Sequence, residues 1–117
     1  MTLLTGTWKI NANGFEGDLN VNSVDGQGNL SGTVFGNNIL GFWDDVAMKT
    51  TFMRVVDPSN PSTFQIYTGF LFQNPTNPGP GQNVTHTLTG SFEAFSGSGA
   101  VAQRVVYGWF AQIVQVG

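Results

Sequence analysis

A large apolar residue, a glycine and a second large apolar residue follow one another at a spacing of two seven times in this chain. The seven sets are Leu4–Gly6–Trp8, Phe15–Gly17–Leu19, Leu30–Gly32–Val34, Ile39–Gly41–Trp43, Tyr67–Gly69–Leu71, Leu88–Gly90–Phe92 and Val106–Gly108–Phe110. Residues two apart share a face only in an extended strand. Between the sets the chain alternates apolar and polar residues, rich in Val, Ile, Thr, Phe and Trp. No stretch places apolar residues at i, i+3, i+4 and i+7 over the length a helix needs. The chain is therefore committed to β-structure.

Turn signals divide it into eight strands, at 4–12, 15–23, 28–35, 38–43, 46–56, 63–73, 85–95 and 103–116. The first four connections are Asn13-Gly14, Asp25-Gly26-Gln27, Gly36-Asn37 and Asp44-Asp45, short enough for tight hairpins. Two Pro-rich loops (57–62 and 74–83) and the stretch 96–102 supply the rest. Hairpins join neighbours in space, so the topology is an antiparallel meander. Eight strands of even spacing point to an all-β, closed up-and-down barrel. The competing β-sandwich needs longer crossovers than the first half offers. A length of 117 residues suits one domain, 1–117, with a single core.

Mid-strand glycine has two readings. It permits the sharp coiling that closure needs, or it hollows the barrel for a ligand. Either way it marks an inward face: Leu4, Trp8, Ile10, Phe15, Leu19, Val21, Leu30, Val34, Ile39, Trp43, Phe52, Tyr67, Leu71, Leu88, Phe92, Val106 and Phe110. The opposite face is polar on early strands, with Thr7, Lys9, Glu16, Asp18, Asn20 and Asn22. On later strands it is apolar: Leu40 and Phe42, then Phe64, Ile66, Phe70 and Phe72, then Val105, Tyr107, Trp109 and Ile113. A monomer rarely exposes so large a patch, so this face is expected to be an interface between copies, in a dimer or tetramer.

Charge narrows the partners. Only 9% of residues are charged, the net charge is −3, and Lys9, Lys49, Arg54 and Arg104 are the basic residues, too few for nucleic acid. No run of 18 apolar residues occurs, so no membrane partner is expected. The opening MTLLTGTWK lacks the charged and apolar regions of a signal peptide. There is no cysteine and one histidine, His86, so neither a metal site nor a cofactor is expected. His86 reads as a hydrogen-bonded residue near the barrel rim. Asp44-Asp45 reads as a hairpin turn rather than a catalytic pair, and no nucleophile, base and acid share a recognisable spacing. Catalysis is not expected. Arg54 and Arg104 fall on inward positions near strand ends, where they either snorkel to the rim or meet a carboxylate-bearing ligand. Asn83-Val84-Thr85 has the form of a glycosylation sequon.

Several stretches together resemble the avidin/streptavidin family. LTGTW followed by a short Asn-Gly turn is similar to that family's first strand, and GNLSGTVFG to its third. YTGF (67–70) resembles the sixth strand and VVYGWF (105–110) the eighth. The resemblance implies an eight-stranded barrel, a homo-oligomer built on the later strands and a ligand at the open end. It does not imply tight biotin capture. Asn11 stands for the family's ureido-binding Asn with a one-residue insertion, but the Ser, Tyr and strand-eight polar positions fall on Phe15, Val34 and Phe110, and the strand-six Trp on Tyr67. A buried urea without partners costs several kcal/mol. The expected ligand is small and largely apolar, walled by Asn11, Phe15, Val34, Trp43, Tyr67, Phe92 and Phe110. The alternative is a filled structural barrel whose loops 74–83 and 96–102 meet a partner.

Overall fold

A computed structural model describes residues 3–96 and 103–117. Eight strands run β1 (Gly6–Ala12), β2 (Phe15–Val24), β3 (Asn29–Val34), β4 (Asn37–Asp44), β5 (Lys49–Arg54), β6 (Gln65–Asn74), β7 (Val84–Ser96) and β8 (Gln103–Gln115). Each pairs antiparallel with the next, and β8 returns to β1, closing the barrel in sequence order. Closure leaves no unpaired edge strand. The meander barrel read from the sequence is the fold observed.

The turns show why the register is what it is. At the β1–β2 hairpin, Asn13 and Gly14 take positive φ (51° and 92°), and Asn11 Oδ1 accepts the Gly14 N–H at 2.8 Å. That is the primed geometry matching strand twist. At β3–β4 the two turn residues are Phe35 (φ 49°) and Gly36 (φ 79°), one position earlier than the expected Gly36-Asn37. Asn37 instead opens β4. The expected two-residue turn at Asp44-Asp45 is longer: Asp44 ends β4, its carboxylate accepts the Val46 and Ala47 N–H groups, and β5 begins only at Lys49. At β2–β3, Asp25 accepts from Gln27 N, Asn29 N and Asn29 Nδ2. Those bonds, the Asn29 side chain first, hold its carboxyl below the usual range.

Trp8, Ile10, Leu19, Val21, Leu30, Val34, Ile39, Trp43, Phe52, Tyr67, Leu71, Leu88 and Phe92 are all buried, as expected of inward residues. Strand β8 is reversed. Trp109 is 3% exposed and Ala111 is fully buried, whereas Val106 and Phe110 lie 62% and 45% exposed. The register explains the reversal: Gly90 faces Trp109, Leu88 faces Ala111 and Phe92 faces Tyr107, and antiparallel partners share a face. Val105, Tyr107, Trp109 and Ile113 therefore look inward and cannot form an outer interface. Val106, Phe110 and Val114 take the outer positions.

Trp109 also gives the mid-strand glycines a different purpose. A Cβ on Gly69 would collide with the Trp109 six-membered ring, and one on Gly90 with Thr68 O of the neighbouring strand. Gly69 and Gly90 are direct cross-strand partners, forming a window that seats the indole. The indole N–H donates to both Thr68 O and Ser91 O at 3.1 Å. Gly17 does the same for Phe35, whose ring occupies the space its Cβ would need. These glycines are filled by the protein's own rings, so they do not hollow out the barrel.

Candidate functional site

The end of the barrel carrying the β1–β2, β3–β4 and β5–β6 connections holds an open cavity of about 380 Å³. Its lining is Ala12, Asn13, Phe15, Phe35, Arg54, Gln65, Tyr67, Phe92, Ala94 and Tyr107. The volume lies at the lower end of the range for small-molecule pockets, roughly 300–1,000 Å³.

One wall belongs to a ladder of rings from four successive strands, of which Tyr67, Phe92 and Tyr107 line the cavity. Phe52 and Tyr67 stack with centroids 4.8 Å apart, and Tyr67 and Phe92 repeat the geometry at 4.8 Å. Tyr107 continues it at 5.5 Å from Phe92, tilted by 38°. Trp109 meets Tyr67 edge-on at 5.5 Å and closes the floor. Offset and edge contacts of this kind add about 0.5–1.5 kcal/mol each beyond area burial, so the wall is held before any ligand arrives.

The opposite feature of the mouth is polar. Arg54 and Gln65 are partners across β5 and β6, and their side chains meet on the inward face, Arg54 Nη1 donating to Gln65 Oε1 at 3.2 Å. Arg54 Nε donates to Asn37 Oδ1 at 2.8 Å, and the guanidinium lies 5.0 Å from the Phe35 ring centroid. Tyr67 donates its O–H to the same Gln65 Oε1 at 2.9 Å. Burial pushes the Tyr67 phenol up to about 12, while the nearby Arg54 charge and hydrogen bonding pull the other way. Tyr67 therefore stays neutral across the physiological range and cannot neutralise Arg54. Among the described residues no carboxylate lies within ion-pair distance of Arg54; Asp18 pairs instead with Lys9 on the outer wall.

Of the expected wall residues, Phe15, Tyr67 and Phe92 line this mouth. Phe15 is 73% exposed because it sits at the hairpin lip, on the inward side but beyond the last layer of core. Val34 is wholly buried in the core below. Trp43 belongs to the other end, where it edges a concavity with Val24, Asp25, Gly28, Phe42, Asp44 and Asp45. Asn11 and Phe110 are cross-strand partners on the outside, lining a shallow depression with Lys9 and Asp18. Both corrections follow from register: Asn11 lies between inward Ile10 and Ala12, and Phe110 between inward Trp109 and Ala111. Phe35, Arg54, Gln65, Ala94 and Tyr107 complete the mouth. Arg104 is exposed and spans the outside, donating to Ser62 O and Glu93 O, so its expected inward position is also corrected.

The concavity around Trp43 is less organised for a ligand. Its acids serve their own turns, as described for Asp25 and Asp44, and Asp45 Oδ1 accepts the Trp43 indole N–H at 3.2 Å. Among the described residues no cluster of His, Asp or Glu could hold a metal. His86 is 1% exposed, deeper than a rim position; Nε2 bonds Gln115 Oε1 at 3.0 Å and Nδ1 has no partner among the described residues.

The outer surface divides by strand. Leu40 and Phe42 on β4, Phe70 and Phe72 on β6, and Val106, Phe110 and Val114 on β8 are large and exposed. Ile66 is half-buried on the same outer face, and Phe64, half-buried, immediately precedes β6. Thr85, Thr87, Thr89 and Ser91 of β7 fill the space between β6 and β8, so this half of the barrel carries few charges. Of the two loops considered for a partner, most of 96–102 lies outside the described residues.

No family model matches the chain, and neither a curated protein nor a solved structure matches it significantly. What is established is the class: a closed eight-stranded up-and-down β-barrel with an aromatic mouth.

Proposed function

We propose that this chain is a non-enzymatic, avidin-like barrel that binds a small, largely apolar ligand at its open end and assembles with copies of itself. The single observation that carries the ligand reading is the mouth. Five rings (Phe15, Phe35, Tyr67, Phe92 and Tyr107) converge on one open cavity, with three polar side chains, Asn13, Arg54 and Gln65, among them. Concave, ring-lined sites with a few placed polar groups are the usual form of small-molecule pockets. Biotin is a poor candidate, because Val34 and Phe110 remain apolar at positions where the resemblance asks for polar partners, and Asn11 faces outward.

Assembly is supported by the apolar outer face on β4, β6 and β8, with Phe42, Phe70 and Phe72 each about half exposed. Exposed patches of this kind commonly mark protein interfaces. One observation favours the alternative of a filled interaction barrel: below Tyr67 the interior is packed by Trp109, Phe52, Leu19 and Val34. A ligand must therefore sit in the mouth and not in the shaft.

Tryptophan fluorescence titrated with biotin and a panel of hydrophobic ligands tests the reading. Trp109, in contact with Tyr67 beneath the mouth, is the reporter. A saturable response to a hydrophobic ligand, with none to micromolar biotin, is the expected result. Silence toward every ligand would replace this reading by the filled barrel.

A further inference from the structure

The polar corner of the mouth is one-sided in its hydrogen-bonding capacity. Gln65 Oε1 accepts from two donors at once, Arg54 Nη1 and Tyr67 Oη. A guanidinium can only donate, so the Gln65 amide is oriented with its oxygen toward Arg54 and its NH2 turned away from it. Asn37 Oδ1 is likewise taken by Arg54 Nε. Two of the five guanidinium N–H groups are used in this way. The remaining three, and the Gln65 NH2, have no partner among the described residues. Among the described residues, the hydrogen-bonding groups left free on Arg54 and Gln65 are thus all donors, Arg54 is cationic, and no carboxylate lies within ion-pair distance of it.

Position is fixed as firmly as polarity. The guanidinium carbon lies over the Phe35 ring, which is placed by its own positive φ and by the space left at Gly17. Asn37, immediately beyond that turn, anchors Nε. A planar, pre-oriented guanidinium recognises a planar anion far better than a flexible ammonium does.

We propose that the mouth takes a ligand with a flat aromatic body and one carboxylate, the body among Phe15, Phe35, Phe92 and Tyr107 and the carboxylate on Arg54 and the Gln65 amide. This rests on the reading of the mouth as a ligand site and adds the ligand's charge and shape. Neutral apolar molecules of the same size would leave the Arg54 donors desolvated and unpaired.

The test is calorimetric titration of the whole chain with naphthoate and with naphthamide, which share a ring system and differ in charge. Naphthoate is expected to bind at least tenfold more tightly, and the gap to shrink as salt is raised. Arg54→Met should abolish the difference between naphthoate and naphthamide, and with it the salt dependence. Arg54→Lys should recover only part of the difference. If Arg54→Met fails to fold, the salt dependence of the unaltered protein decides. Equal affinities, unaffected by salt, would overturn the carboxylate assignment and leave the ligand site standing. Binding of neither compound would overturn both.

Discussion

Trp109 rests on Gly69: the indole occupies the space that any side chain at position 69 would need, and its N–H bridges carbonyls on β6 and β7. One side chain from β8 thereby pins two other strands at the level where both lack side chains. Gly69→Ala is expected to destabilise the fold by about 1–3 kcal/mol through overpacking. Trp109→Ala should cost about 3–5 kcal/mol. In a double-mutant cycle the glycine penalty should largely vanish once the indole is gone. Additive losses in denaturant unfolding would mean the two residues are not coupled.

Charge placed on the outer face separates assembly from folding. Phe70→Lys combined with Phe72→Lys should yield a folded protein of lower mass in native mass spectrometry and sedimentation. Trp109→Lys should instead unfold the barrel, because that position is core. A monomeric starting protein at micromolar concentration would contradict the proposed interface outright.

Stability should fall at high pH by way of Tyr67. Its folded value, about 12, lies above the ordinary tyrosine value of 10.0. Between these values the unfolded chain releases a proton that the folded one retains, so unfolding becomes easier as pH rises. The contribution is fully present below pH 10.0 and lost on approaching 12. Its size is roughly 2–3 kcal/mol. Tyr67→Phe should remove that step from urea-unfolding energies measured across the window.

His86 is expected to be a stability defect. Its Nδ1 is buried without a partner among the described residues, and an unsatisfied group of this kind costs about 1–3 kcal/mol. His86→Phe keeps an aromatic edge against Trp8, now 6.4 Å away, and frees the exposed Gln115 to meet water. Thermal and denaturant midpoints should hold or rise. A loss above about 1 kcal/mol would mean that the imidazole makes a favourable interaction here.

Much of this barrel was readable from alternation because one face of the early strands is polar. On β1 and β2 the residues Lys9, Glu16 and Asp18 exclude any reading but outward. On β8 both faces are apolar, and the glycine pattern selected the wrong one. The corrective signal was present: Arg104 and Gln112 lie on the same face as Gly108 and Phe110, and a packed shaft has no place for them. The mouth was only half legible. Tyr67, Phe92 and Phe15 follow from face assignment, but Gln65 meets Arg54 only once the β5–β6 register is known. Phe35 is not legible in the sequence, because its positive φ carries the ring back over the opening, which no alternation pattern encodes.

An even number of meandering strands has one further effect. The first residue of β1 and the last of β8 both lie at the rim away from the aromatic mouth, beside the β2–β3 and β4–β5 loops. A chip, bead or fusion partner joined at either end would leave the mouth pointing away from its support. The barrel is thus laid out as a cup that can be mounted by its base.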